Sequence, residues 1–492
     1  MNKKNIILTL CIFCSPTAFP QSYSGGSGTV ADPYLISSKA DMEALAAATN
    51  SDAAYSADKY FRLTRDISDV ITTIIGNGYP FMFKGAFDGG GHKITVNINA
   101  TSNYVGVFGQ LSGGAIKNLR VDGSVRGNMN GGNNYTGGIC GYAGSGSISN
   151  CYNGGAIFSS SSASYATTSH SGGICGNGGG SAIINCYNTG TISTSSSTYS
   201  RSGGICGYIG SGSISNCYNA GTISPASSAT SFAGGICGSY DDNAVNISNC
   251  YNAGAISASN TFSSYTGGIC GRAHGGSIIN CYNTGAISAL NNSTYSSGGI
   301  SGDATEVNIN NCFAANATIT CTRKSGSANY VYSGRIVGTI DNASLESCYA
   351  LASMQINGAT QSSQYAHSKD GKDENITSFQ SQSWLEENLG WNFNTVWFML
   401  DLPHLLWEKD LQTGYVHPAV PASFNPADDQ ITLAGLQGNE TLRIYSISGN
   451  LLLSDTATGE TTTIDIARLP AGIYLVGIQG DRGVVMHKFI KQ

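Results

Sequence analysis

The chain has 492 residues, of which 65 are glycine and only 11% are charged, with a net charge of −6. An apolar content of 41% excludes wholesale disorder, while so much glycine and so little charge excludes an ordinary two-layer domain. The weak, dispersed acidity leaves no basic patch, so a nucleic-acid partner is not expected.

Lys3 and Lys4 precede the apolar run from Ile6 to Phe13, and small or turn-forming residues follow from Ser15 to Gln21. This reads as an export leader over residues 1–21. The run is too short to be a permanent transmembrane anchor. Bulky Leu10 and Phe13 stand directly before Cys11 and Cys14, which argues against lipidation there.

Residues 22–100 read as an N-terminal cap with the first rungs of a repetitive fold. Ser38 is placed to N-cap a short helix over residues 39–46, with Asp41 and Glu43 in its first turn. Phe61–Leu63 and Lys93–Val96 are strand-like.

Residues 101–358 repeat one sentence at a period of roughly 31 to 36 residues: Gly-Gly-Ile-Cys-Gly, a Gly/Ser turn, Ile-Ser-Asn-Cys-Tyr-Asn, then Gly-Thr-Ile-Ser. Aligned, the repeats give one cysteine column (Cys140, Cys175, Cys206, Cys237, Cys270, continuing as Ser301 and Val337) and a second one eleven residues further on (Cys151 to Cys348). An asparagine column (Asn118, Asn150, Asn185, Asn216, Asn249, Asn280, Asn311) precedes the second, and isoleucine columns flank it. Short β-branched segments separated by Gly, Ser and Asn are too short for helices and lack their period. The fold expected is all-β, a parallel β-helix in which stacked coils set like residues about 4.8 Å apart. An asparagine at each bend can pass amide hydrogen bonds up the stack, and the bend lets Ile148 and Cys151 both face inward.

Beyond the leader 13 cysteines remain, an odd number. Bridges across the eleven-residue spacing are open to an exported protein, but Ser301 and Val337 each leave a partner cysteine unpaired, which favours buried thiol ladders.

All four tryptophans, Trp384, Trp391, Trp397 and Trp407, fall in residues 359–412, which read as a cap plugging the last rung. Residues 413–424, with Pro418 and Pro421, read as a linker. In residues 425–492, alternating segments Leu442–Ile447 and Tyr474–Ile478 between glycine turns predict a small β-sandwich.

The repeats resemble the GLUG motif, with Ile139-Cys140 and its counterparts where that family has Leu-Val. Residues 425–492 resemble the C-terminal sorting domain of the type IX secretion system of Bacteroidota, through Ile444-Tyr445-Ser446-Ile447-Ser448-Gly449, the run from Ile464 to Tyr474, and Lys488-Phe489-Ile490. This second resemblance implies the secretion machinery as a partner, passage across the outer membrane, removal of the domain, and a surface or extracellular location. The repeats imply an architecture and a surface habit.

Between Gly123 and Ile300 the only charged residues are Arg126, Arg201, Asp241, Asp242 and Arg272, a poor inventory for acid–base chemistry, so no catalytic residue is expected. Asp241-Asp242-Asn243 reads as a solvated turn in preference to a calcium site. His170 and His274 read as loop residues without metal-site spacing, and no His-Glu-x-x-His occurs, so neither metal nor cofactor is expected. Two aromatic columns remain as binding candidates. Tyr152, Tyr187, Tyr218, Tyr251 and Tyr282 follow the second cysteine column and point outward if the cysteines point in. Tyr135 and Tyr265 belong to another column with Tyr104, Phe232 and Tyr332. Aromatic stripes among Ser, Thr and Asn suit glycans, and they also suit ladder stacking that binds nothing. The stretches from Phe158 to Ser171 and from Ser224 to Phe232 read as long loops on a shared partner face. The expectation is an adhesin-like surface protein for a glycan or host ligand. A polysaccharide-acting enzyme or accessory protein and a purely structural component are the alternatives.

Overall fold

Asn118, Asn150, Asn185, Asn216, Asn249, Asn280 and Asn311 all adopt φ between 52° and 55°. Asparagine tolerates this left-handed conformation better than most side chains. Each one turns the chain by a corner, and the side-chain amides link successive corners, as from Asn150 to Asn118 and from Asn185 to Asn150, both at 3.1 Å. The computed structural model describes residues 23–162, 167–260, 262–291, 293–323, 330–409, 429–434, 440–446, 451–459, 461–470, 472–480 and 483–491. The leader (1–21) and the linker (413–424) lie outside the described residues.

The chain winds as a parallel β-solenoid of about nine turns with repeats of about 31 residues. One coil shows the plan. Cys206–Ile209 and Ser213–Ser215 lie on a first face, Tyr218–Asn219 and Ile223–Ser227 on a second, and Thr230–Gly234 on a third. Every segment pairs in parallel with its counterpart one coil on, so Cys206 sits opposite Cys237, Ile214 opposite Ile247, Tyr218 opposite Tyr251 and Phe232 opposite Tyr265. Coils begin with Tyr34–Ile36 against Tyr60–Leu63. The helix Lys39–Thr49, capped by Ser38 through a capping box with Asp41, adds Met42, Leu45 and Ala46 to the main core.

The interior explains the repeated sentence. Isoleucines such as Ile205, Ile214 and Ile223 are fully buried and stack like on like. A second asparagine column, Asn153, Asn188, Asn219, Asn252 and Asn283, is also fully buried. Asn219 donates to Asn252 and to the carbonyl of Gly221, both at 2.8 Å, and it accepts from Asn188 at 2.8 Å. This column dictates the second glycine of Gly-Gly-Ile: a Cβ on Gly235 would stand 2.3 Å from the Asn252 carboxamide carbon and 2.1 Å from the Gly268 carbonyl oxygen.

The cysteines are thiols. Among the described residues 13 are free, and all but Cys321 are buried. Each of the buried ones donates to a carbonyl two residues away, as Cys206 does to Tyr208 at 3.0 Å and Cys217 to Ser215 at 3.2 Å. Ser301 keeps the same bond, to the Asp303 carbonyl at 2.7 Å, which accounts for serine in that column. Burial pushes the thiols of Cys175, Cys206 and Cys281 well up, so they stay protonated donors.

The stretches expected as long loops are strands within the described residues: Ala156–Ser161 with Thr168–Gly172, and Ile223–Ser227 with Thr230–Gly234. Their polar composition fills the interior at this corner instead of facing water. Thr194 bonds Ser171 at 2.8 Å and Ser202 at 2.7 Å, and Ser200 donates to Ser231 at 2.9 Å, all buried.

The C-terminal unit has a two-stranded and a four-stranded antiparallel sheet, with Ile431, Leu442, Ile444, Ile464, Val476 and Ile478 in one core. This is the expected small sandwich.

Candidate functional site

The two aromatic columns have opposite fates. The first does point outward on the second face and stacks as a continuous ladder, with ring centres 4.4 to 5.0 Å apart from Tyr152 through Tyr187, Tyr218, Tyr251 and Tyr282 to Phe313. It is then covered. After Lys372–Glu374 pairs onto the last coil, residues 376–409 fold back along the ladder instead of only plugging the rung, which corrects the expected place of the tryptophan cap. Phe379 stacks on Phe313 at 4.3 Å, Trp391 and Trp397 lie against Tyr282, and Trp407 lies over Tyr187 and Tyr218. Tyr251 is left 5% exposed and Tyr282 2%. The segment is fixed by polar bonds as well: Tyr251 donates to Glu408 at 2.9 Å, and the indoles of Trp391 and Trp407 donate to the carbonyls of Asn311 and Asn216, both at 3.1 Å. A bare stack of rings is a wide apolar strip, and covering it with tryptophan removes that strip from water. Of the sequence candidates, Tyr187, Tyr251 and Tyr282 therefore lie beneath this strap, Tyr218 is half-buried under Trp407, and Tyr152 is half-buried at its far end.

The second column stays open in part: Tyr104, Tyr135, Arg201 and Tyr265 are half-buried and Tyr332 is exposed, while His170, Phe232 and Ser296 are buried. It runs along the third face as Tyr104, Tyr135, His170, Arg201, Phe232, Tyr265, Ser296 and Tyr332 in register. Tyr104 and Tyr135 stack at 5.6 Å. Tyr142 reaches them from the adjoining first face, at 5.7 Å from Tyr104 and 5.9 Å from Tyr135. Tyr142 belongs to a second, neighbouring register that runs from Gln110 through Tyr142, Asn177, Tyr208, Ser239, Arg272 and Asp303 to Thr339. The two registers meet along one corner. His170 lies between Tyr135 (4.9 Å) and Tyr208 (5.4 Å), and Phe232 stacks on Tyr265 at 5.2 Å.

Charge that looked scattered in the sequence gathers at this corner. Arg201 donates to Ser239 at 2.9 Å and to His170 at 3.0 Å. Arg272 lies 3.4 Å from Asp303 and 3.7 Å from Asp241, and His274 lies 3.9 Å from Asp241. Burial raises the Asp303 carboxyl against the pull of Arg272, and burial, then Arg201, holds the His170 imidazole well below the ordinary histidine value. His170 and His274 stand on strands, not in the expected loops: residues that are distant in the sequence become neighbours only when coils stack. Asp242 forms the expected turn, accepting from the Ala244 amide at 2.7 Å. The repeat alignment could have found this corner, since His170 and Arg201 occupy the Tyr135 column, but reading only its aromatic members hid them.

Residues 425–492 match the family described as the secretion system C-terminal sorting domain, and residues 262–288 match the GLUG motif. The chain is accordingly a substrate of the type IX secretion machinery, exported across the outer membrane to the cell surface or the extracellular space. No helix among the described residues is long and apolar enough to cross a membrane. A crystal structure of a candidate immunoglobulin A1 protease from Bacteroides ovatus is similar at a TM-score of 0.42 and 22% identity, over 78% of this chain and 95% of that one. No curated protein matches the sequence.

Proposed function

We propose that this exported solenoid is an adhesin-like protein without a catalytic centre, holding a glycan or host-matrix ligand along the open aromatic corner between its first and third faces. The observation that carries the reading is the cluster of Tyr104, Tyr135 and Tyr142, whose half-buried rings form a continuous surface at the corner. Aromatic bodies with polar tips take the C–H faces of sugars while neighbouring amides and hydroxyls meet sugar hydroxyls. The covered tyrosine ladder is architecture in this reading. A carbohydrate and matrix-protein array probed with the full chain and with its Tyr135→Ala/Tyr142→Ala variant tests it: ligand captured by the first and lost by the second supports it, and no capture refutes it.

A second reading, an enzyme acting on polysaccharide, is favoured by the convergence of Asp241, Asp303, Arg272 and His274 on three adjoining coils. Both carboxylates, however, are engaged by the same Arg272 guanidinium, which suits holding a strand register more than proton transfer. Release of reducing ends from a polysaccharide, abolished in Asp303→Asn, would establish this alternative.

A further inference from the structure

We infer that Arg201 is the centre of a subsite for the carboxylate of an acidic sugar within the aromatic corner, an inference that rests on the glycan-binding reading above. Arg201 lies on the third-face strand Tyr199–Gly203 and sends its side chain across the corner to the first face. Its Nε donates to the Ser239 hydroxyl at 2.9 Å and its Nη1 to His170 Nε2 at 3.0 Å. The guanidinium carbon lies 5.1 Å from the centre of the Tyr208 ring and 5.4 Å from that of Phe232. Two bonds and two aromatic walls therefore fix the plane of the fork.

The charge so fixed has no direct ion-pair partner, and Asp241 acts on it only across a longer distance. Arg272, in the neighbouring register, is neutralised by Asp241 and Asp303, whereas no ion pair among the described residues includes Arg201. Guanidinium is a permanent cation with five donors, and Arg201 spends two of them within the protein. Because arginine can only donate, His170 accepts at Nε2 and carries its proton on Nδ1, which is buried and without a partner. A second polar group at this point thus lacks satisfaction inside the fold. A fixed guanidinium with donors left over suits a planar carboxylate, which accepts hydrogen bonds from such a fork.

The surroundings select a sugar acid over a free anion. Tyr135 and Tyr142 lie to one side of Arg201 along the corner, and the stacked pair Phe232 and Tyr265 to the other. Coils about 4.8 Å apart advance by close to the length of one sugar in an extended chain. A polysaccharide running along the solenoid axis would set rings on the half-buried Tyr135, Tyr142 and Tyr265 and an acid group on Arg201.

The test is calorimetric titration of the full chain with hexagalacturonate beside its methyl ester, and with sialyllactose beside lactose. The expected result is that at least one acidic sugar binds about tenfold more tightly than its neutral partner. In Arg201→Met this preference disappears while neutral-sugar affinity persists, and Arg201→Lys, which keeps charge without the fork, restores only part of it. The responsive pair identifies a uronate or a sialate. If neutral sugars bind but the acidic forms gain nothing, or if Arg201→Met keeps the preference, the subsite is overturned and the glycan-binding reading survives. Failure of every sugar to bind overturns both. Should Arg201→Met not fold, Arg201→Lys decides: a weakened preference supports the subsite and an unchanged one overturns it.

Discussion

The indole N–H of Trp407 donates to the backbone carbonyl of Asn216 at 3.1 Å, joining positions 191 apart in the chain. From its start on the last coil the strap crosses back over five steps of the tyrosine ladder, ~24 Å at the usual spacing of parallel strands. Its ring contacts are each worth about 0.5–1.5 kcal/mol beyond burial. Trp407→Ala should free the far end of the strap while leaving the coils wound. Hydrogen exchange would then rise in residues 396–409 and not in Cys206–Ile209, and limited proteolysis would cut first in that stretch.

The buried asparagine ladder predicts a cost out of proportion to the atoms removed. Asn219→Ala orphans the donor of Asn188, the acceptor of Asn252 and the Gly221 carbonyl. Each stranded buried group costs about 1–3 kcal/mol, so urea unfolding should show a loss of ~3 kcal/mol or more. Asn128→Ala, which removes bonds to Asn99 and from Ser160 but strands no fully buried group, should change stability by less than about 1 kcal/mol.

The thiol columns predict tolerance of one specific exchange. Since Ser301 already makes the bond that Cys206 makes, Cys206→Ser should unfold within about 1 kcal/mol of the parent, whereas Cys206→Leu should cost about 1–3 kcal/mol by overpacking. A thiol reagent applied to native protein starting at Tyr23 should label Cys321 alone, and all 13 thiols after unfolding.

His170 gives a pH dependence of definite sign. Burial first, and Arg201 second, lower its pKa in the folded state. Below the ordinary value of about 6.5 the unfolded chain therefore takes up a proton that the folded chain does not. Stability should fall as pH drops through that value toward the lower folded one. His170→Asn should flatten this limb of the urea midpoint against pH profile.

The solenoid was legible because each repeat restates one coil: the columns of Ile214, Cys206 and Asn216 are the buried and bent positions of the fold. What stayed hidden depends on contacts between coils. Asn219 reads as a polar residue beside Tyr218, and only stacking shows that it is buried beneath Gly204. Serine- and threonine-rich stretches such as Phe158 to Ser171 read as loops because hydroxyls seldom fill cores, yet here Ser171 and Ser202 are satisfied by Thr194 inside. The outward direction of Tyr251 and Tyr282 could be deduced from alternation. Their covering could not, because it depends on where Glu408 and Trp407 return in space.

Two double variants of the full chain, compared on the same glycan and matrix array, separate the two aromatic columns: Tyr135→Ala/Tyr142→Ala on the open corner, and Tyr218→Ala/Tyr251→Ala beneath the strap. The account predicts that the first folds with near-parent stability and loses ligand, while the second melts lower and keeps it. Ligand retained by the first and lost by a still-folded second would contradict the account and return the binding face to the tyrosine ladder.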